Sequence, residues 1–318
     1  MVANATSSSA LVPRKRAFIT RLDLLGWAFI SPWVIGFLIF TLFPFIASLF
    51  LSFTDWQVVG AWHWIGTANY QNMVNGNDTR FLVSVKDTLY YAVINVPGTQ
   101  IIALSLALLL NRKSPGIAMF RTLFYVPAIA SGVGTAYLWV LILSNQGGLL
   151  NTALAVFGIQ GPNWLYSLTW SMPALIIMGL WNVGTSMLIY LAALQGVPQS
   201  LYDAASVDGA TLFDKFRSVT LPLITPAMFF NFILGVIGSF QVFTAAFIIT
   251  NGGPADTTLF YTLYLYDVAF NDLRMGYASA LAWVLFLIIM SITVIQLLMA
   301  RLWVYYEGST AGGAAGPR

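Results

Sequence analysis

The residues with the most specific spacing in this chain lie between positions 198 and 222, a polar stretch between two apolar segments. The small residues Ala204, Ala205 and Gly209 allow another backbone to approach closely. Apolar anchors are supplied by Leu201, Tyr202, Phe213 and Phe216. This chemistry is non-covalent, because it is how a short helix is built to lie in a groove of a partner. An amphipathic loop that rests on its own helix bundle has the same features, so both interpretations stay open on these residues alone.

Local signals predict two short helices joined by a turn. A hydroxyl residue followed three positions later by aspartate is typical of a helix start, and this occurs at Ser200 and at Thr211. The first helix is predicted over 201–207. Asp208-Gly209 then predicts a turn, because glycine takes a positive φ without strain. Leu221-Pro222 is predicted to end the second helix, since proline cannot continue the backbone ladder.

Composition places the chain in a membrane. Of its 318 residues 58% are apolar and only 8% are charged, and the mean hydropathy is +0.79. A soluble domain carries about 25% charged residues. The sequence has no cysteine and one histidine, His63, which excludes thiolate metal sites and argues against a histidine-based one.

Six stretches are long and apolar enough to cross a bilayer, which takes about 20 residues each. They predict an all-α, polytopic fold with spans at 24–51, 83–110, 119–143, 171–194, 223–250 and 276–300. Lys86 and Asp87 fall near the start of the second span, so we expect them at the interface or on a short leading helix. The domain prediction is a tail at 1–22, a membrane domain at 23–307 and a disordered tail at 308–318.

The basic residues predict the orientation, because they are enriched in cytoplasmic loops. Three fall on the outer side: Arg80, Lys86 and Arg274. Eleven fall on the opposite side: Arg14, Lys15, Arg16, Arg21, Arg112, Lys113, Arg121, Lys215, Arg217, Arg301 and Arg318. Both termini and the polar segment are therefore predicted to be cytoplasmic, in a multi-pass protein of the cell membrane.

The outer loops are rich in aromatic residues, among them Trp56, Trp62, Tyr261 and Tyr264. They are typical of an interfacial belt. A docking surface for a partner outside the membrane is the alternative.

The residues support neither proton-driven transport nor ATP binding by the chain itself. No residue clearly inside a span is charged, whereas proton-driven transporters place acids or histidine in the bilayer. The sequence also has no Gly-x-x-x-x-Gly-Lys-[Ser/Thr] loop, so the chain does not bind ATP through a P-loop of its own.

The polar segment resembles the coupling loop of ABC importer permeases. In that family the loop has the sequence pattern Glu-Ala-Ala, three residues, Gly, nine residues, Ile, one residue, Leu-Pro. Here the matching residues are Asp203, Ala204, Ala205, Gly209, Val219, Leu221 and Pro222, with Asp208 directly before the glycine. Phe240-Gln241-Val242-Phe243 and Asn251-Gly252-Gly253-Pro254 are similar to the carbohydrate, maltose-type branch. Asp203 departs from the usual Glu, which keeps the charge on a shorter side chain.

The resemblance implies a type I importer permease with a cytoplasmic coupling loop, here at 196–222. It also implies partners: a second, unlike permease subunit, two copies of a P-loop ATPase subunit, an extracytoplasmic solute-binding protein and surrounding lipid, with no nucleic acid. The chain would be a non-catalytic transport subunit that holds no cofactor itself, because ATP-Mg would be bound by the ATPase partners.

The resemblance also implies a mid-membrane substrate site built from the last spans. The residues expected in it are Trp181, Asn182, Thr185, Ser239, Phe240, Gln241 and Phe243. Aromatic faces pack on the C–H surface of a sugar, and amides and hydroxyls match its OH groups. Each polar member has an alternative role as an interhelical hydrogen bond.

Two other functions remain as alternatives. A permease for glycerol-3-phosphate would need cationic groups for the phosphate. A membrane-embedded glycosyl-transfer enzyme would need paired acidic or basic groups at a membrane–water cleft, whereas the outer acids are scattered.

Overall fold

The structure, a computed structural model, describes residues 21–112 and 114–305. In this part of the chain the fold is helical, and the extended pairing is limited to one antiparallel bridge between Thr54 and Trp64. The predicted tails at 1–22 and 308–318 lie outside the described residues, apart from Arg21 and Leu22, and stay predictions.

The chain divides into two units after Phe50. The first unit contains α1 (Arg21–Phe37), a π-helical turn (Leu38–Leu42) and most of α2 (Phe43–Leu51), which follow one another without a break. Together they form the first apolar span, Leu25–Leu51.

The second unit holds the remaining helices. They are α3 (Ala68–Val74), α4 (Thr79–Leu110), α5 (Ile117–Ile129), α6 (Gly132–Leu143), α7 (Leu149–Val156), α8 (Ser171–Trp181), α9 (Gly184–Gly196), α10 (Gln199–Val207), α11 (Leu212–Lys215), α12 (Leu221–Phe240), α13 (Tyr261–Tyr266) and α14 (Met275–Trp303). Further π-helical turns cover Phe216–Thr220, Ala246–Thr250 and Asp267–Asn271.

The described residues contain six spans when each bent helix pair counts as one, which confirms the predicted all-α class. Four are single helices: Leu25–Leu51, Thr79–Leu110, Leu212–Phe240 and Met275–Trp303. The third span is α5 and α6, which meet at 102°, and the fourth is α8 and α9, which meet at 40°. Ala130 and Ser131 have extended backbone (ψ 146° and 130°), which ends the helical ladder between α5 and α6.

Two spans differ from the sequence prediction. The second begins at Thr79, where the Asp78 carboxylate caps α4 by accepting from the Phe81 N–H at 3.0 Å. Lys86 and Asp87 therefore lie within α4 itself and not on a separate leading helix. The fifth span was expected to run unbroken over 223–250, but α12 ends at Phe240 and helical structure resumes only after Phe243.

The core is organised around α4, which packs against α8, α9 and α12. Gly179 on α8 faces α4 so closely that a Cβ there would lie 2.2 Å from the Tyr91 hydroxyl and 2.3 Å from the Asn95 amide. Helices in a membrane associate through such small residues, because lipid gives no hydrophobic drive for helix pairing. Beside this contact the rings of Tyr91 and Phe260 meet edge to face at 5.1 Å.

Gly179→Ala is expected to destabilise the protein by about 1–3 kcal/mol, since the added methyl must displace both Tyr91 and Asn95. Thermal unfolding of the purified protein in detergent measures this change. Gly238→Ala is the control, because a Cβ at Gly238 meets no atom within 4 Å. Equal melting temperatures for the two variants would contradict the packing argument.

Candidate functional site

A cavity of about 370 Å³ lies between α4, α8, α9 and α12, with Ala128 of α5 at its edge. Its polar lining is made of amides and hydroxyls: Tyr91, Asn95, Thr99, Gln100, Asn182, Thr185, Ser186, Asn231 and Ser239. None of the described residues that line it is charged. We call this the central cavity.

One wall of the central cavity is a polar stripe on α4. Asn95, Thr99 and Gln100 all line the cavity, and Asn95 and Thr99 share one helix face because positions four apart are neighbours on a helix. Asn95 donates to the Ile176 carbonyl at 3.4 Å and accepts from the Thr99 hydroxyl at 3.4 Å. Gln100 accepts a hydrogen bond from the Tyr190 hydroxyl of α9. The stripe is therefore held in place by α8 and α9.

The opposite walls come from α8, α9 and α12. Asn182 is exposed at the break between α8 and α9, and its backbone N–H bonds the Gly179 carbonyl at 3.1 Å. Asn231 is buried in α12 and donates to the Ser186 carbonyl at 3.3 Å. Asn182 lies at this break and Thr185 at the start of α9, and both are exposed and line the cavity.

Three of the seven residues that the sequence predicted for a substrate site line this cavity: Asn182, Thr185 and Ser239. The other four lie elsewhere. Trp181 meets Trp139 edge to face at 5.8 Å, and Phe240 is buried in the core. Gln241 is exposed at the end of α12, and Phe243 stacks on Phe247 at 5.2 Å. Gln241 and Phe243 come after the end of α12 at Phe240, where Val242 between them lines the cavity and they do not.

Sequence reasoning missed the polar cavity residues of α4 and two others, Ser186 of α9 and Asn231 of α12. Asn95, Thr99, Gln100, Ser186 and Asn231 all line the cavity. A signal was present, because amide side chains inside an apolar span are costly unless they face a partner or a cavity. The predicted site residues lie in the fourth and fifth spans, whereas this signal lies in the second.

The segment at 199–222 forms two helices around a turn, as predicted, but with different ends. The Thr211–Asp214 capping box is confirmed, with Thr211 N–H donating to Asp214 at 3.0 Å and Asp214 N–H donating to Thr211 at 3.3 Å. The predicted cap at Ser200 is wrong, since α10 starts at Gln199 after Pro198 and has no side-chain cap. Gly209 occupies the turn with φ +76°, as expected.

The second helix of this segment does not end at Leu221-Pro222, which corrects the prediction. The π-helical turn Phe216–Thr220 joins α11 directly to α12, and the Leu221 N–H bonds the Phe216 carbonyl. Pro222 directly follows this π-helical turn, where the hydrogen-bond register is already irregular, and the helical backbone continues through it. The helix therefore runs from Leu212 to Phe240 and reaches the central cavity.

The exposed face of the segment is partly apolar. Asp203, Ala204 and Asp208 are exposed, and Ala205 is half-buried. Around the turn Val207 is 88% exposed and Leu212 is 86% exposed. Behind this face the two helices are tied together: Tyr202 Oη lies 2.9 Å from Thr220 Oγ1, and Lys215 donates to Ser206 at 2.7 Å.

At the other end of the molecule, charged groups join the start of α4 to the loop before α14. Arg80 pairs with Asp256 at 3.3 Å and with Asp267 at 3.6 Å. Asp78 accepts hydrogen bonds from both Tyr264 and Tyr277. Tyr264 is buried, so it is not part of an exposed belt or docking surface. No group of three His, Cys, Asp or Glu side chains in the described ranges is placed to hold a metal ion.

Residues 100–304 match the family model described as "Binding-protein-dependent transport system inner membrane component". The probable ABC transporter permease protein YesP of Bacillus subtilis (strain 168) is 44% identical over 95% of this chain and 98% of its own length. The probable starch degradation products transport system permease protein AmyD of Thermoanaerobacterium thermosulfurigenes is 31% identical over 90% of this chain and 97% of its own.

Among solved structures, a chain from a bacterial alginate ABC transporter, crystallised with an alginate pentasaccharide-bound periplasmic protein, has the same fold. Its TM-score is 0.78 at 24% identity, over 88% of this chain and 95% of that one.

Asp267→Asn is expected to raise the melting temperature at neutral pH. Burial raises the pKa of the Asp267 carboxyl above its ordinary value, although Arg80 and Asn271 oppose the shift, so its charged form is disfavoured in the fold. The neutral amide avoids this cost and can still accept from Asn271, whose bond to Asp267 is 2.8 Å long.

The difference between variant and wild type should be largest at pH 7–8 and shrink as the pH falls, because the wild-type carboxyl then becomes protonated. Thermal melts across this range measure it. Asp208→Asn, which removes an exposed carboxylate in the 199–222 segment, is the control, and a gap that grows on acidification would contradict the assignment.

Proposed function

Since this chain belongs to the family of binding-protein-dependent transport system inner membrane components, we propose that it is a sugar-translocating permease subunit of an ATP-driven ABC importer. The resemblance noted in its sequence is thereby confirmed. The chain is embedded in the membrane by its apolar helices. Its proposed substrate is a sugar or oligosaccharide, and its proposed role is transport without catalysis.

The observation that carries the sugar assignment is the central cavity. Its uncharged lining of amides and hydroxyls suits the OH groups of a carbohydrate. A glycerol-3-phosphate permease would place cations there, and the described lining has none. The relative named for starch degradation products supports the same substrate class.

The proposed coupling to ATP hydrolysis depends on the segment at 199–222. We assign the contact with the P-loop ATPase partners to Asp203, Ala204, Ala205, Asp208 and Gly209, which surround its exposed turn. Leu221 and Pro222 lie instead inside the continuous helix Leu212–Phe240. A movement of the turn would be transmitted along this helix to Asn231 and Ser239 in the cavity wall. Such a rigid connection supports alternating access driven from outside the chain.

The remaining partners follow from the proposed role. A second, unlike permease would complete the pathway, two ATPase copies would serve the two permeases, and a solute-binding protein would deliver the sugar on the outer face. Both termini and the 199–222 segment would be cytoplasmic, in line with the positions of the basic residues. ATP-Mg would be bound by the ATPase subunits.

Replacing Asn182 tests the substrate site. Asn182→Leu is expected to raise the sugar concentration for half-maximal uptake about tenfold, because the lining loses a hydrogen-bonding amide worth about 1–1.5 kcal/mol. Uptake of labelled oligosaccharides into vesicles that contain the assembled importer measures this. Gln241→Leu is the control, because Gln241 is exposed, was predicted from the same resemblance and does not line the cavity. Equal uptake by Asn182→Leu and wild type would argue against the cavity as the sugar site.

Gly209→Val tests the ATPase contact. The variant should lose ATP-driven uptake of sugar, or the ATPase should no longer co-purify with it. The reason is that a β-branched residue strains the left-handed turn and adds bulk to the exposed surface. Gly158→Val is a matched control with φ +72° and the same open surroundings, on a loop between α7 and α8. If both variants retain the ATPase and transport normally, the assignment fails.

A further inference from the structure

A second cavity, of about 340 Å³, lies where α4 ends, α5 begins and α9 ends. It is lined by Asn111, Arg112, Ser114, Ile117, Ala118, Arg121 and Gln195. Two guanidinium groups, two amides and one hydroxyl thus surround it, and no carboxylate is among the described lining residues. We call it the basic cavity.

The two arginines differ in how they are held. Arg121 is half-buried and donates twice to the Leu110 carbonyl, at 2.7 Å and 3.3 Å. Those bonds use two of its five N–H groups, which leaves donors for a ligand. Arg112 is exposed and forms no ion pair with any described carboxylate. The cavity therefore concentrates positive charge that the described protein does not neutralise.

Gln195 shows at which end of the spans the basic cavity lies. This residue lies in the last turn of α9, three positions before Pro198 and the segment at 199–222. The basic cavity thus opens at the same membrane surface as that segment. On α5, directly after the cavity-lining Ile117 and Ala118, the apolar side chains of Met119, Phe120 and Leu123 are 65%, 51% and 52% exposed. A positive cavity at the end of a span and an apolar strip beside it match the two parts of a phospholipid.

We propose that the basic cavity binds the phosphate of an anionic phospholipid from the cytoplasmic leaflet. Arg112 and Arg121 donate to the phosphate oxygens, while Asn111, Ser114 and Gln195 bond the polar head, and the acyl chains follow the exposed strip of α5. The leaflet assignment rests on the orientation in the proposed function, whereas the phosphate site rests on the cavity alone. A bound lipid would lie beside the start of the segment at 199–222.

The test is native mass spectrometry of the importer, purified with its co-assembled subunits and mixed with phosphatidylglycerol or phosphatidylcholine of equal chain length. Wild type should retain phosphatidylglycerol preferentially. Arg112→Gln should lower that retention about fivefold, the effect expected of one cation at an anionic surface. Arg112→Lys should fall between the two, since it keeps the charge but loses the planar fork. Arg301→Gln is the matched control: an exposed basic residue at the end of α14 that does not line the cavity.

Three results would overturn the proposal. The first is an equal loss of phosphatidylglycerol in Arg112→Gln and Arg301→Gln, which would indicate diffuse electrostatic attraction. The second is that wild type shows no preference for phosphatidylglycerol. The third is displacement of the lipid by excess inorganic phosphate, which would indicate a site for free phosphate. Sugar uptake by the wild-type importer from the same preparation is measured separately. Lost uptake with intact lipid preference counts against the proposed function, and the reverse result counts against the lipid site.

Discussion

The close approach of α4 to α8 at Gly179 is the contact on which the central site depends. No side chain fits between the two helices there, because Tyr91 and Asn95 already occupy the space that a Cβ would need. That contact fixes the height and rotation of α4, and hence the direction of the stripe at Asn95, Thr99 and Gln100. Lipid supplies no hydrophobic force between helices, so small residues and interhelical hydrogen bonds set this geometry.

Polar groups inside a membrane must find partners, and this requirement shapes the central cavity. Asn95 and Asn231 each bond a backbone carbonyl on a neighbouring helix, at Ile176 and Ser186. The helix breaks after Trp181 and after Phe240 both fall beside the cavity, where irregular backbone lies against polar groups instead of lipid. The same amides that join the helices therefore form the surface that a polar substrate would meet.

Continuity of one helix links this cavity to the surface around Gly209. A helix that ended at Leu221-Pro222 would have left a flexible joint between the exposed turn and the membrane. Instead the π-helical turn at Phe216–Thr220 directly precedes Pro222, and the helical backbone continues through both. The continuous helix is therefore a direct structural connection between the exposed turn and the cavity wall.

The sequence by itself determined that the chain is a membrane protein, how many spans it has and where some local turns and helix caps lie. Hydropathy sufficed for six spans, and the Thr211–Asp214 spacing and Gly209 were enough for a capped helix and a turn, because these depend on neighbouring residues only. Tertiary structure decided which polar residues meet. It brought Asn95 and Gln100 to Asn182 and Asn231, and it left Gln241 and Phe243 outside the cavity that Val242 lines. Hydropathy reports that a segment is apolar but not its rotation or its breaks, since these follow from packing between helices distant in the chain.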